Sequence, residues 1–148
     1  MRSAILAIAI AAAPVLAVAA DLPASLHGTW RVANPTGDQC RRDAMTDAAE
    51  GHMIVTAGVV KHYESSCMIA SARPTRMPDQ ERTSVVADLR CEGEGMRWRT
   101  RALFHLETVD GKKLVAVTTL SHSGTSEMRG RRVKVLNVPT TTIYTECR

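Results

Sequence analysis

Five histidines, four cysteines and a set of arginines at every second position are the residues of this chain best equipped for chemistry. His62 and Glu64 stand two apart, which on an extended strand turns both side chains to one face. With His52 or His122 as a third ligand, that pair could hold zinc or copper. The plainer reading is an exposed polar face opposite Tyr63, Cys67 and Ile69, since no HxH, HExxH or Cys/His cluster accompanies it. Ser121-His122-Ser123-Gly124 sets a serine beside a histidine, but neighbours on an extended chain point apart. No Gly-x-Ser-x-Gly elbow is present, so this stretch reads as a polar loop. Glu92 and Glu94 could flank a glycosidic bond as paired carboxylates. Glu92, however, meets Arg97 across the expected hairpin, and Glu94 sits at its tip. No catalytic residue is assigned on this basis, and no motif calls for a metal or cofactor.

The basic residues carry more information. Arg97, Arg99 and Arg101 alternate along one strand and so share a face, with Arg129, Arg131, Arg132 and Lys134 further on. A hairpin closed on Glu94-Gly95 sets Glu92 opposite Arg97, Arg90 opposite Arg99 and Asp88 opposite Arg101. The outer pairs are neutralised and the middle one is not. A solvated charge ladder is one reading of this face. The functional one is contact with an anion or an envelope surface through Arg97, Arg99 and Arg101.

The elements that position these residues begin after residue 20. Residues 1–20 carry one charge, Arg2, then an apolar run over 4–16 broken by Pro14, and small residues at Ala17–Ala20. That is the pattern of an export signal, too short to span a bilayer and stop there. No cysteine follows the expected cleavage site, which argues against lipidation, and a periplasmic or secreted location is expected. The 128 residues left from 148 make one domain, 21–148, with no transmembrane segment. Loss of Arg2 lowers the net charge from +4 to +3, a balance that speaks for mild anion attraction and not for a nucleic-acid partner. With only five aromatic residues, all in apolar or alternating runs, few are left to stack on bases or sugars.

Cys40, Cys67, Cys91 and Cys147 form an even set in an expected export context, which points to two disulfides. No CxxC exists to suggest a redox pair or a zinc knuckle. Three pairings are possible. Cys40–Cys67 with Cys91–Cys147 is the expectation, each bridge stabilising by about 3–4 kcal/mol on the loop-entropy account.

The remaining pattern is of strands. Residues 26–32 read as a first strand, 41–50 as one short helix stopped by Gly51, and 53–56 and 59–70 as strands about an Ala57-Gly58 turn. Residues 72–81 read as a loop. In 83–92 the chain alternates with Val85, Ala87, Leu89 and Cys91 inward, and in 96–107 with Met96, Trp98, Thr100, Ala102, Phe104 and Leu106 inward. Asp110-Gly111 is a strong hairpin signal, and closing on it puts Val115, Val117 and Thr119 opposite Leu106, Phe104 and Ala102. Two independent turns therefore give one buried face, including Val85, Leu89, Trp98, Phe104, Val115 and Val117. Residues 121–130 are polar, 131–136 stand between strand and loop, and 141–147 form a last strand around Tyr144. The expectation is a mainly β fold: a small antiparallel barrel, or a strongly curled sheet, of about six to eight strands.

Gly28-Thr29-Trp30 at the first strand resembles the Gly-x-Trp opening of lipocalins and related calycin-like barrels, in which the tryptophan closes one barrel end. The wider frame of Gly28-x-Trp30, Cys40, Glu64–Cys67 with Ile69, Leu89–Gly95 and Cys147 is similar to small exported bacterial four-cysteine proteins of uncharacterised activity. What this resemblance implies is a barrel and disulfides, and no reaction. Three functions are weighed. The first is a non-enzymatic periplasmic module that binds an envelope component or protein partner by its loops or basic face. The second is a protease or lysozyme inhibitor, although a basic chain would be repelled by a basic lysozyme. The third is a small hydrolase.

Overall fold

The computed structural model describes residues 21–33, 40, 48–75, 82–128, 131–134 and 139–147. The expected signal, 1–20, lies outside the described residues, as does most of the expected helix, whose last positions, 48–50, run as loop and turn. Among the described residues nine strands form one antiparallel sheet: β1 (Gly28–Val32), β2 (His52–Val55), β3 (Val59–His62), β4 (Ser65–Pro74), β5 (Thr83–Gly93), β6 (Met96–Val109), β7 (Lys112–Met128), β8 (Arg131–Lys134) and β9 (Thr141–Glu146). Each of β1 to β6 pairs with its neighbour, β6 pairs with β7, β7 with β9 and β9 with β1, so eight strands close a barrel. β8 pairs with the far end of β7, outside that ring.

Alternation and turn chemistry account for the longest walls. Glu94 and Gly95 both take positive φ (48° and 75°), as do Asp110 and Gly111 (49° and 73°), the backbone that two-residue hairpins of the right twist require. The resulting registers are the expected ones: Asp88↔Arg101, Arg90↔Arg99 and Glu92↔Arg97 in the first hairpin. In the second, Leu106 meets Val115, Phe104 meets Val117 and Ala102 meets Thr119. Val85, Leu89, Phe104 and Val115 are buried as the alternation predicts, whereas Trp98 and Val117 are only partly buried against the core.

Three expectations need correction. The span 59–70 is not one strand: a two-residue turn at Tyr63 and Glu64 divides it into β3 and β4, so His62 and Glu64 do not share a strand face. Second, the polar stretch after residue 120 continues as β7 to Met128, beyond a bulge opposite Arg101 and Ala102. Similarly, β4 runs on to Pro74 into the expected loop.

The third correction is the disulfide pairing, which is Cys67–Cys91 and Cys40–Cys147. Cys67 and Cys91 are direct partners across β4 and β5, both buried. Cys147 follows β9 and donates its N–H to Thr29 O (2.8 Å) on β1, the strand that precedes Cys40 in the chain. Each cysteine is thus bonded to its neighbour in the sheet or across the β1–β9 seam, and the alternative would need partners on different walls.

The core fills the ring, with Trp30, Met53, Val60, Val85, Phe104 and Val115 all at most 1% exposed. One barrel end is sealed by the segment before β1. A 3-10 turn at Ala24–Leu26 buries Leu26, and Leu22 is buried while its N–H donates to Ala57 O (3.1 Å) in the β2–β3 turn. Gly28 has φ of 140°, which lets β1 begin at once after this turn. Trp30 then donates its indole N–H to Leu26 O (2.9 Å). Lys61, Arg90, Arg97, Arg99 and Arg101 lie outward and the buried core is apolar, while Met68, Leu120 and Ile143 are exposed apolar side chains. Among the described residues no helix is long and apolar enough to cross a membrane.

Candidate functional site

The outer face of β4 to β7 is built from three transverse rows of cross-strand neighbours, each with one residue per strand. In the first row Ser71, Asp88, Arg101 and Ser121 are successive partners. Arg101 grips Asp88 with two hydrogen bonds, Nε to Oδ1 (2.7 Å) and Nη2 to Oδ2 (3.1 Å), and Ser71 donates to Oδ2 (2.8 Å). Those donors hold the Asp88 carboxyl below its usual range, the Arg101 bond first, and raise Arg101 in turn. Arg101 is therefore committed to its own sheet.

The third row runs Ser66, Glu92, Arg97 and Thr125. Its ion pair is loose, with Arg97 Nε 3.8 Å from Glu92 Oε2 and the side chains 88% and 70% exposed. Such a pair leaves the arginine available to other anions. Between these lies the row Met68, Arg90, Arg99 and Ser123. Here two arginines face each other, and among the described residues neither has a carboxylate within ion-pair reach.

The middle row and Ser66, Glu92 and Arg97 of the third line an open groove of about 930 Å³, and Cys91, Trp98 and Gly124, the inward-facing row between them, also border it. A Cβ on Gly124 would lie 2.6 Å from the Trp98 Cβ, so only glycine lets β7 pass this close to the tryptophan. Trp98 also meets His122, ring centroids 6.1 Å apart. Of the three arginines singled out from sequence, the structure brings Arg97 and Arg99 into the groove and leaves Arg101 outside it. Arg90 takes its place. Arg131, Arg132 and Lys134 lie on β8, and Arg129 falls outside the described residues.

The other candidates fare as follows. Among the described residues no three metal-ligating side chains gather, so His62, Glu64, His52 and His122 form no metal centre. Glu64 and Glu94 meet at the tips of neighbouring hairpins, where Glu64 raises the Glu94 carboxyl, chiefly by hydrogen bonding. Ser121 and His122 sit on opposite faces of β7, as adjacent strand residues must.

A triad-like array went unnoticed in the sequence. Ser84 Oγ lies 2.6 Å from His105 Nδ1, and His105 Nε2 lies 4.0 Å from Glu107, which Arg82 also approaches at 3.7 Å. The signal was the hairpin register itself, which sets Ser84 opposite His105. Ser84 is 3% exposed and lies away from the groove lining, so its hydroxyl has no room to meet a substrate.

His62 points toward the core, its ring 6.5 Å from Tyr144, and burial holds its pKa below the ordinary value. The neutral ring belongs to the folded state and the unfolded chain binds the extra proton more readily. This contribution to stability is thus complete above the unfolded value, about 6.5, and is lost as pH falls below it. Urea midpoints of the native chain should drop between pH 7 and pH 5, and His62→Phe should flatten that drop. An equal drop in both proteins would assign the acid sensitivity elsewhere.

No protein-family model, curated protein or solved structure matches this chain.

Proposed function

We propose that this chain is a non-enzymatic, exported β-barrel that binds an anionic envelope component or protein partner in its outer groove, through Arg97 and Arg99 with Arg90 beside them. The observation that carries the reading is Arg90 facing Arg99 across β5 and β6 with, among the described residues, no carboxylate within ion-pair reach of either. Like charges directly opposite in a sheet are destabilising, so stability alone does not account for the pair. Two disulfides suit an oxidising compartment and support the export part of the reading. The groove's size lies within the range of small-ligand sites.

The test is binding to anionic vesicles at low and high salt, for the native chain and for Arg97→Glu with Arg99→Glu. Exposed charges are screened over about 8–10 Å at physiological ionic strength. Each basic residue near an anionic surface contributes about 1 kcal/mol. Binding is expected to be weak, to fall with salt, and to drop by on the order of a hundredfold in the double variant. Absence of binding at low salt, or binding indifferent to the reversal, would leave the face as solvated charge only.

A further inference from the structure

The charge pattern of the three rows is more specific than a basic surface. In the rows on either side, β5 supplies an acid and β6 an arginine: Asp88 with Arg101, and Glu92 with Arg97. In the middle row β5 supplies Arg90 instead, opposite Arg99. Directly opposed residues have Cβ atoms about 4.5–5.5 Å apart, so two guanidinium groups rise from adjacent points on the floor of one groove. Guanidinium forks match the oxygens of phosphoryl groups in a bidentate manner. Ser123 continues the same row on β7, and Ser66 stands in the next on β4, so hydroxyl donors flank the arginines.

The groove also has an apolar side. Met68, the β4 partner of Arg90, is 61% exposed on the same outer face. A bare inorganic ion would not use it. A volume of about 930 Å³ far exceeds a phosphate group and holds a headgroup with adjoining chain.

The geometry points to a phosphomonoester-binding site: Arg90 and Arg99 clamp the terminal phosphate of a lipid headgroup, Ser66 and Ser123 donate to it, and Met68 takes the apolar part next to it. This inference rests on the reading of the outer face as an anion-binding surface. A phosphomonoester carries about −1.5 to −2 charges at neutral pH, enough to offset both guanidinium groups, where a diester carries one. The pair that is repulsive in the empty sheet becomes matched when such a ligand is bound.

The experiment uses the full folded chain and phosphatidylcholine vesicles containing either phosphatidic acid, a monoester, or phosphatidylglycerol, a diester, adjusted to equal zeta potential. About tenfold tighter binding to phosphatidic acid is expected. Arg90→Lys and Arg99→Lys keep the net charge and lose the fork, and each should abolish that preference, while Arg101→Lys, outside the groove, should keep it. Arg90→Glu should complete the acid–arginine ladder, leaving the melting temperature unchanged or higher while binding disappears. Dihexanoyl phosphatidic acid should compete at least tenfold better than glycerol 3-phosphate.

Equal binding to the two vesicle types, or a preference that survives both lysine variants, would overturn the phosphomonoester site and leave the anion-binding surface standing. Equal competition by glycerol 3-phosphate would overturn the lipid as its source. Failure of both vesicle types at low salt would instead bring down the functional reading on which this inference rests.

Discussion

Removing the Cys40–Cys147 bridge by a double serine replacement should cost about 4.7 kcal/mol, the larger of the two disulfide losses. The two cysteines are 107 residues apart, and the loop-entropy account gives about that figure for a loop of roughly a hundred residues. Cys67–Cys91 closes a span of 24 residues, for which the same relation gives about 3.5 kcal/mol. The longer bridge also fastens Cys40 to the end of β9, where Cys147 already donates to Thr29. Denaturant unfolding of the two double variants, with peptide mapping of the parent, checks both size and pairing. A larger loss from the Cys67/Cys91 variant would show that strand packing at that site outweighs loop entropy.

The second large effect is expected at the sealed barrel end. Trp30 is fully buried and its indole N–H is bonded to Leu26 O. Trp30→Ala should cost about 3–5 kcal/mol through the cavity and lost transfer energy. A domain of this size has only about 5–15 kcal/mol to lose. Trp30→Phe keeps most of the volume but strands the Leu26 carbonyl, and a buried unsatisfied group costs about 1–3 kcal/mol. Leu26→Ala should weaken the same end, and because Trp30 bonds the Leu26 backbone the two effects should not add. A Trp30→Ala loss below about 1 kcal/mol would mean that the 3-10 turn does not seal the barrel.

What could be read from the sequence was what is local. Glu94-Gly95 and Asp110-Gly111 carry the residues that left-handed turn backbone favours, and the strands beside them alternate cleanly. Their registers, including Arg90 against Arg99, therefore followed from position alone. The Tyr63-Glu64 turn escaped because neither residue advertises it, although Glu64 takes φ of 56°. Gly93 accommodates that turn: a Cβ there would fall 2.4 Å from Glu64 O. The far half of β7 escaped because a bulge shifts its alternation and its residues are polar. The disulfide pairing depended on the register of β4 with β5, which no short turn sets. The groove likewise depends on how the sheet curves, a property of all its strands together. Arg101 shared its strand face with Arg97 and Arg99, yet only its cross-strand partner, Asp88, removed it from the site.

The seam between β1 and β9 has a consequence for the order of events in folding. The ring closes only when residues 144–146 reach residues 30–32, so its earliest strand waits for its latest one. Contacts so distant in sequence make folding slow. While residues 141–146 are still being added by the ribosome, the nascent chain can form hairpins but no closed barrel, and its apolar wall stays accessible to chaperones. The barrel is thus kept open until its last strand has been made, and it closes in a late step.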